Sequence, residues 1–211
     1  MKKWFYRIGT YLVGVVIIAF GGALTISSDL GASPFNFLSF TVSRVTGVQL
    51  SITAFVMFTS YVVVQVLLLK KDFKPIQCLQ VLFAVIFGHF LGFFTTLIQL
   101  ETDSLMIRFP MVFLGFSCIA LGVFLTVTPR LVPLAPDGLT DAVATRIGSD
   151  FGKAKNIMDL TVVSIAIVLL LVSQTSFAGL GVGTILSMIL VGRFIFVLNH
   201  FFKKKLERLL F

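Results

Sequence analysis

Apolar residues along this chain gather into six long runs, at roughly 6–28, 50–69, 76–99, 109–128, 156–173 and 179–201. Each is close to the ~20 residues that an α-helix needs to cross a bilayer. Two connections between the runs are too long for simple turns, and both carry a helical period instead. In 29–49, Ser33-Pro34 offers a hydroxyl followed by proline at the first helical position, and Gly47 supplies a stop. Phe35, Leu38, Val42 and Val45 then form an apolar stripe, with Asn36, Ser39, Ser43 and Thr46 on another face. In 129–155, Pro136-Asp137 opens and Gly148 closes a similar segment, with Leu139, Val143 and Ile147 apolar and Asp137, Asp141 and Thr145 polar. The pattern predicts short helices over 34–47 and 137–148. Both are too short and too polar to span a membrane, so they are interfacial or re-entrant.

Composition supports lipid as the solvent: 57% of the 211 residues are hydrophobic, only 12% are charged, and the mean hydropathy is +1.05. A soluble chain carries about twice that charge to cover its surface. The net charge of +8 does not point to nucleic acid, because the basic residues cluster beside apolar runs, as in Lys2-Lys3, Lys70-Lys71 and Lys203-Lys204-Lys205. With the N-terminus inside, fourteen basic residues fall on the cytoplasmic side (Lys2, Lys3, Arg7, Lys70, Lys71, Lys74, Arg130, Arg146, Lys153, Lys155, Lys203, Lys204, Lys205 and Arg208). Only Arg44 and Arg108 face outward, and Arg193 lies within a span. The positive-inside rule then predicts a multi-pass membrane protein with both termini cytoplasmic. The first apolar run lacks a small-residue cleavage site and reads as a retained first helix. Cys78 and Cys118 lie in apolar runs without metal or disulfide spacing.

The chain also resembles itself at a shift of about 100 residues. Leu24-Thr25-Ile26-Ser27 matches Leu125-Thr126-Val127-Thr128, Pro34 meets Pro136, and Ser43-Arg44-Val45 meets Thr145-Arg146-Ile147. Phe73, Gly88 and Phe90 meet Phe177, Gly192 and Phe194. The expected fold is therefore an all-α membrane protein of six transmembrane helices, built from two three-helix repeats, 1–100 and 101–211, each with a short interfacial or re-entrant helix. Three spans per unit is an odd number, so the second copy enters from the opposite face and the repeats are inverted in topology. That arrangement is common among secondary transporters, whose sites lie near mid-membrane between the repeats. The expected function is a small secondary transporter. The alternative is a non-transporting accessory protein that assists a biosynthetic or export system.

Ionisable residues at membrane depth are costly and mark function when they face protein or water. Arg193 and His89 follow the matched glycines Gly192 and Gly88, and are the expected anion anchor and proton donor. Asp159 lies four residues after Lys155, on the same helix face, and can pair with it or meet a solute. Asp137 can cap its short helix, while Asp141 has no such local task. Ser33 and Asn36 open the first short helix, and the N-termini of both short helices favour negative charge if they point inward. The expected substrate-binding set is thus Arg193, His89, Asp141, Asp159, Asn36, Ser33 and Asp137, with an anionic solute favoured. No motif for nucleophilic or metal catalysis is present, so no enzyme activity, cofactor or metal is expected. The expected partners are the bilayer and a small-molecule solute, not nucleic acid; homo-oligomerisation is left open.

The segment Leu24-Thr25-Ile26-Ser27-Ser28-Asp29-Leu30-Gly31-Ala32-Ser33-Pro34-Phe35 resembles the start of the YczE/YyaS/YitT group of bacterial membrane proteins. Asp137-Gly138-Leu139, Arg146-Ile147-Gly148 and Gly181-Val182-Gly183-Thr184 resemble later elements of that group, whereas Arg130-Leu131-Val132-Pro133 replaces its small, Gly-rich residues. The resemblance implies a bacterial plasma-membrane protein and names no substrate.

Overall fold

A computed structural model describes residues 2–99 and 104–211. The expected boundary between the halves, at 100/101, lies outside the described residues. All regular structure there is helical: α1 (Lys2–Ser27), α2 (Pro34–Thr46), α3 (Leu50–Leu69), α4 (Leu79–Leu97), α5 (Leu105–Val127), α6 (Ala135–Ile147), α7 (Phe151–Val172) and α8 (Val182–Leu210). Six of these helices, all but α2 and α6, are long and apolar enough to cross a membrane. Two boundaries differ notably from the apolar runs. α7 starts five residues before the expected 156, because the Asp150 carboxylate accepts a hydrogen bond from the Lys153 N–H at 2.9 Å and caps it. α8 continues nine residues past 201, through Lys203-Lys204-Lys205 to Leu210.

The order long, short, long, long occurs twice, and so do its backbone irregularities. Asp29 and Arg130, 101 residues apart, both end a long helix in the left-handed region at φ +53°. Gly47 and Gly148, again 101 apart, end the two short helices at φ +71° and +64°. α2 and α6 are each 13 residues, starting 101 apart. α6 therefore begins at Ala135, two residues before the expected 137, and the register places Asp137 opposite Asn36.

α1 and α5 are the most buried spans and form the centre of the molecule. They touch at two glycine pairs. A Cβ on Gly14 would lie 2.9 Å from the Gly122 carbonyl, and one on Gly122 would lie 2.7 Å from the Gly14 carbonyl. Gly21 and Gly115 stand in the same relation, at 2.6 and 2.9 Å. The contact advances along one helix as it retreats along the other, so α1 and α5 are antiparallel. Small residues at such a seam let the backbones approach closely. The ends of the pair are fastened alike. Arg7 donates to the Pro129 carbonyl at 2.8 and 3.0 Å beside the turn after α5, and Arg108 lies 4.0 Å from Asp29 in the turn after α1.

Each short helix packs against the second long helix of the other half, α2 on α7 and α6 on α3. Their N-terminal halves are buried, and their C-terminal ends are exposed. The two halves differ in how their last two helices pack. α3 packs along α4, with Gly88 and Gly92 against Ser51, where a Cβ would lie 2.6 Å from the Ser51 carbonyl and 2.8 Å from its Cβ. α7 and α8 do not pack together in this way, and Gly192, the counterpart of Gly88, has open space beside it.

Candidate functional site

The starts of α2 and α6 both face one interior space because of how each is anchored. The turn after α1 needs Gly31, at φ +132°, where a Cβ would lie 2.3 Å from the Thr184 nitrogen. It is bound to the segment before α8: Gly183 N donates to the Leu30 carbonyl at 2.8 Å, Ala32 N to the Gly179 carbonyl at 3.0 Å, and Gly179 N to the Asp29 carboxylate at 2.9 Å. Gly181-Val182-Gly183-Thr184 is therefore the dock for the first turn. α6 rests on a buried amide pair, Gln65 and Gln80, which exchange hydrogen bonds at 2.9 and 3.0 Å. Gln65 also donates to the Ala135 carbonyl at 3.2 Å, and Gly138 allows this approach because a Cβ there would lie 2.7 Å from Gln65 Oε1.

Between these starts lies a cavity of about 530 Å³. This is within the range of small-molecule sites, and the wall is mostly apolar, as such sites are. Ser33, Pro34, Phe35 and Asn36 come from α2 and its cap, and Pro136, Asp137 and Asp141 from α6. Phe151, Lys155 and Asp159 come from α7, and Ser187, Met188, Val191, Gly192 and Ile195 from α8. Ile18, Ile119 and Val123 of the central pair, with Phe58 and Phe87, form the rest of the floor. The cavity occupies the gap where α8 stands off from α7.

Its polar groups are few and convergent. Asp159 is buried and ion-paired with Lys155, as their spacing of four predicts; the Lys155 ammonium also sits 5.1 Å over the Phe35 ring. Asn36 is 4% exposed, lines the cavity, and makes no side-chain hydrogen bond among the described residues. Its amide borders the cavity, where water or a solute can satisfy it. Ser33 caps α2 by position, but its hydroxyl makes no capping bond. Asp137 is part-buried and has no hydrogen bond or ion pair among the described residues. Burial pushes its carboxyl above the usual carboxylate range; Lys155 opposes the shift and Asp159 adds to it. Asp141, one turn on, is exposed at the cavity wall.

Five of the seven residues singled out from the sequence thus come together: Ser33, Asn36, Asp137, Asp141 and Asp159. Arg193 and His89 do not join them. Both are exposed, and neither lines the cavity. The glycine before each turns toward the interior, Gly88 onto Ser51 and Gly192 onto the cavity, and the next residue is about 100° further round the helix. A guanidinium on that face reaches water by extending along its own stem. The apolar contributions of Met188, Val191 and Ile195 carry no mark in the sequence that separates them from lipid-facing neighbours. Among the described residues, no group of three or more His, Cys, Asp and Glu is placed to hold a metal.

No curated protein and no solved structure matches the chain. A model for a family of unknown function, DUF6198, matches residues 5–200, which takes in the whole cavity and all but the outer ends of α1 and α8. The chain belongs to the DUF6198 family.

Proposed function

We propose that this protein is a small secondary transporter whose solute site is the cavity between the starts of α2 and α6. The observation that carries the reading is that both halves build this one cavity, while only one of the two equivalent helix pairs, α3–α4, is closed. The reciprocal glycine contacts of α1 and α5, and the matching fastenings by Arg7 and Arg108, support a two-fold relation between the halves. With an odd number of spans per half, that relation is an inverted repeat, and α2 and α6 are re-entrant helices meeting head to head. Exchanging the conformations of the two halves closes α7 on α8 and opens α3 from α4. The cavity is then reached from the other side. Under the positive-inside orientation both termini are cytoplasmic, α7 begins at the cytoplasmic face, and the conformation described is open inward. The resemblance to the YczE/YyaS/YitT group supports a bacterial plasma membrane as the place of this activity. Of the two grounds for expecting an anionic solute, Arg193 is off the cavity, and the helix starts that do line it already carry the Asp137 carboxyl in the first turn of α6, so that preference is not kept.

Ser187 is 3% exposed and lines the cavity, and it provides the test. In a protein whose native Cys78 and Cys118 are replaced by alanine, Ser187→Cys should react with a membrane-impermeant maleimide applied from either face of sealed vesicles. Cytoplasmic labelling should be the faster. Labelling from one face only, over any time, rejects alternating access and favours an accessory role.

A further inference from the structure

Resting on the transporter reading, we propose that the solute is an organic cation: a protonated amine on an apolar body, held by the Asp137 carboxylate and the Asn36 amide oxygen. Four ionisable residues line the cavity, three acids and one lysine, and Lys155 is engaged by Asp159. The acids left without a partner are Asp137 and Asp141, spaced by four on one face of α6. Asn36 faces the same space from the equivalent position of α2, with an amide that no protein group satisfies. An ammonium is the ligand that meets all three. It is a compact donor-only charge, it neutralises a carboxylate at low dielectric, and it can donate further hydrogen bonds to the Asn36 amide oxygen and the Ser33 hydroxyl. An anion would meet two unpaired carboxylates, and a neutral solute would leave them unpaired. The aromatic floor, Phe58 stacked on Phe87 with ring centroids 4.5 Å apart, suits the apolar body.

A proton competes with the amine for Asp137, so binding weakens as the pH falls. The other titratable groups facing this carboxyl are Asp141 on its own helix, Lys155 and Asp159 from α7, and the Tyr11 hydroxyl from α1. The lining residues of α2, α5 and α8 are uncharged. When the amine displaces the proton, one positive charge replaces another and the occupied site keeps the same net charge.

Three probes with one body separate the solute classes: 4-phenylbutylammonium, 4-phenylbutyrate and 4-phenylbutan-1-ol, measured by titration calorimetry on the full chain in detergent at neutral pH. The ammonium should bind at least tenfold tighter than the other two. Asp137→Asn should lose at least tenfold for the ammonium alone, Asn36→Ala should lose several-fold, and Arg193→Ala should be unchanged. If Asp137→Asn does not fold, the wild-type pH series decides, since ammonium affinity must fall towards acid while alcohol affinity stays level. Equal or tighter binding of the carboxylate or alcohol, binding of none of the three, or full ammonium affinity in well-folded Asp137→Asn overturns the proposal. The two readings fail separately. Ammonium-selective binding with one-sided labelling of Ser187→Cys keeps the cation site and removes transport, and two-sided labelling with carboxylate-selective binding does the reverse.

Discussion

Gly21→Ala tests the central seam at its tightest point. The added Cβ would lie 2.6 Å from the Gly115 carbonyl, 2.8 Å from the Ile119 nitrogen and 2.9 Å from Cys118 Cβ. None of these is the tip of a flexible side chain, so relief requires the helices to separate. Reaching ordinary contact at 3.4 Å from 2.6 Å needs about 0.8 Å of movement along a seam that Gly14 and Gly122 also hold tight. Overpacking of this kind costs about 1–3 kcal/mol. Alanine regains up to about 1 kcal/mol in helix propensity, and Gly9→Ala, with open space at its Cβ, isolates that gain. For a chain of this size about 2 kcal/mol corresponds to roughly 4–8 °C in melting temperature. The assay is thermal unfolding in detergent of wild type, Gly9→Ala, Gly21→Ala, Gly115→Ala and the Gly21/Gly115 double variant. Gly21→Ala and Gly115→Ala should each melt several degrees low, and Gly9→Ala at or above wild type. The double variant should lose less than the sum by at least about 0.5 kcal/mol, because the second methyl enters a seam already opened by the first. Gly21→Ala behaving like Gly9→Ala, or strict additivity of the facing pair, would refute the close antiparallel packing of α1 on α5.

The buried amide pair under α6 should behave as a unit. Gln80→Leu strips Gln65 of its reciprocal bonds and should cost about 1–3 kcal/mol, while adding Gln65→Leu should restore part of it; a double variant as unstable as the sum of the singles would contradict the pairing. For Asp137, the sign follows from burial. A carboxyl raised above its unfolded value of about 3.9 binds its proton more tightly when folded, so its contribution is complete below that pH and is lost as pH rises towards the folded value. Melting temperature measured from pH 4 upward should therefore decline more steeply in wild type than in Asp137→Asn. Identical slopes, or a steeper decline in the variant, would show that the carboxyl is not held in a desolvated site.

The spans were legible because lipid leaves a composition signal that no packing detail can erase, and the ends were less so because capping decides them. Asp150 begins α7 five residues before its apolar run, and the basic end of α8 stays helical beyond the apolar stretch. The short helices were visible through Pro34, Gly47 and Gly148, yet their register was not: aligning prolines pairs Pro34 with Pro136, whereas the left-handed residues fix the shift at 101 and pair Asn36 with Asp137. The cavity acids followed from depth and spacing. Arg193 and His89 did not, because depth in a helix says nothing about azimuth. The glycines that flank them carried the azimuth, since a residue reduced to hydrogen marks where something approaches or where space is kept. The heptad-spaced pairs Gly14–Gly21 and Gly115–Gly122 carried the same kind of signal for the central seam.

The transporter proposed above needs two halves with equal means of opening and closing, but a site between them gains nothing from being symmetric, because one solute cannot present the same group to both sides. The polar residues here follow that logic. The framework positions repeat in kind: left-handed Asp29 and Arg130, closing Gly47 and Gly148, fastening Arg7 and Arg108. At the helix starts the copies part, with an amide at Asn36 and a carboxyl at Asp137. Beside them, Phe40 on α2 stands in register with Asp141 on α6, so the first half supplies apolar surface where the second supplies charge. Packing alone gives no reason to line one cavity with both an amide and a carboxyl that no protein group bonds, since apolar residues there would need no hydration. On the proposed reading, the chemical specificity of the site lies in the positions where the two halves differ.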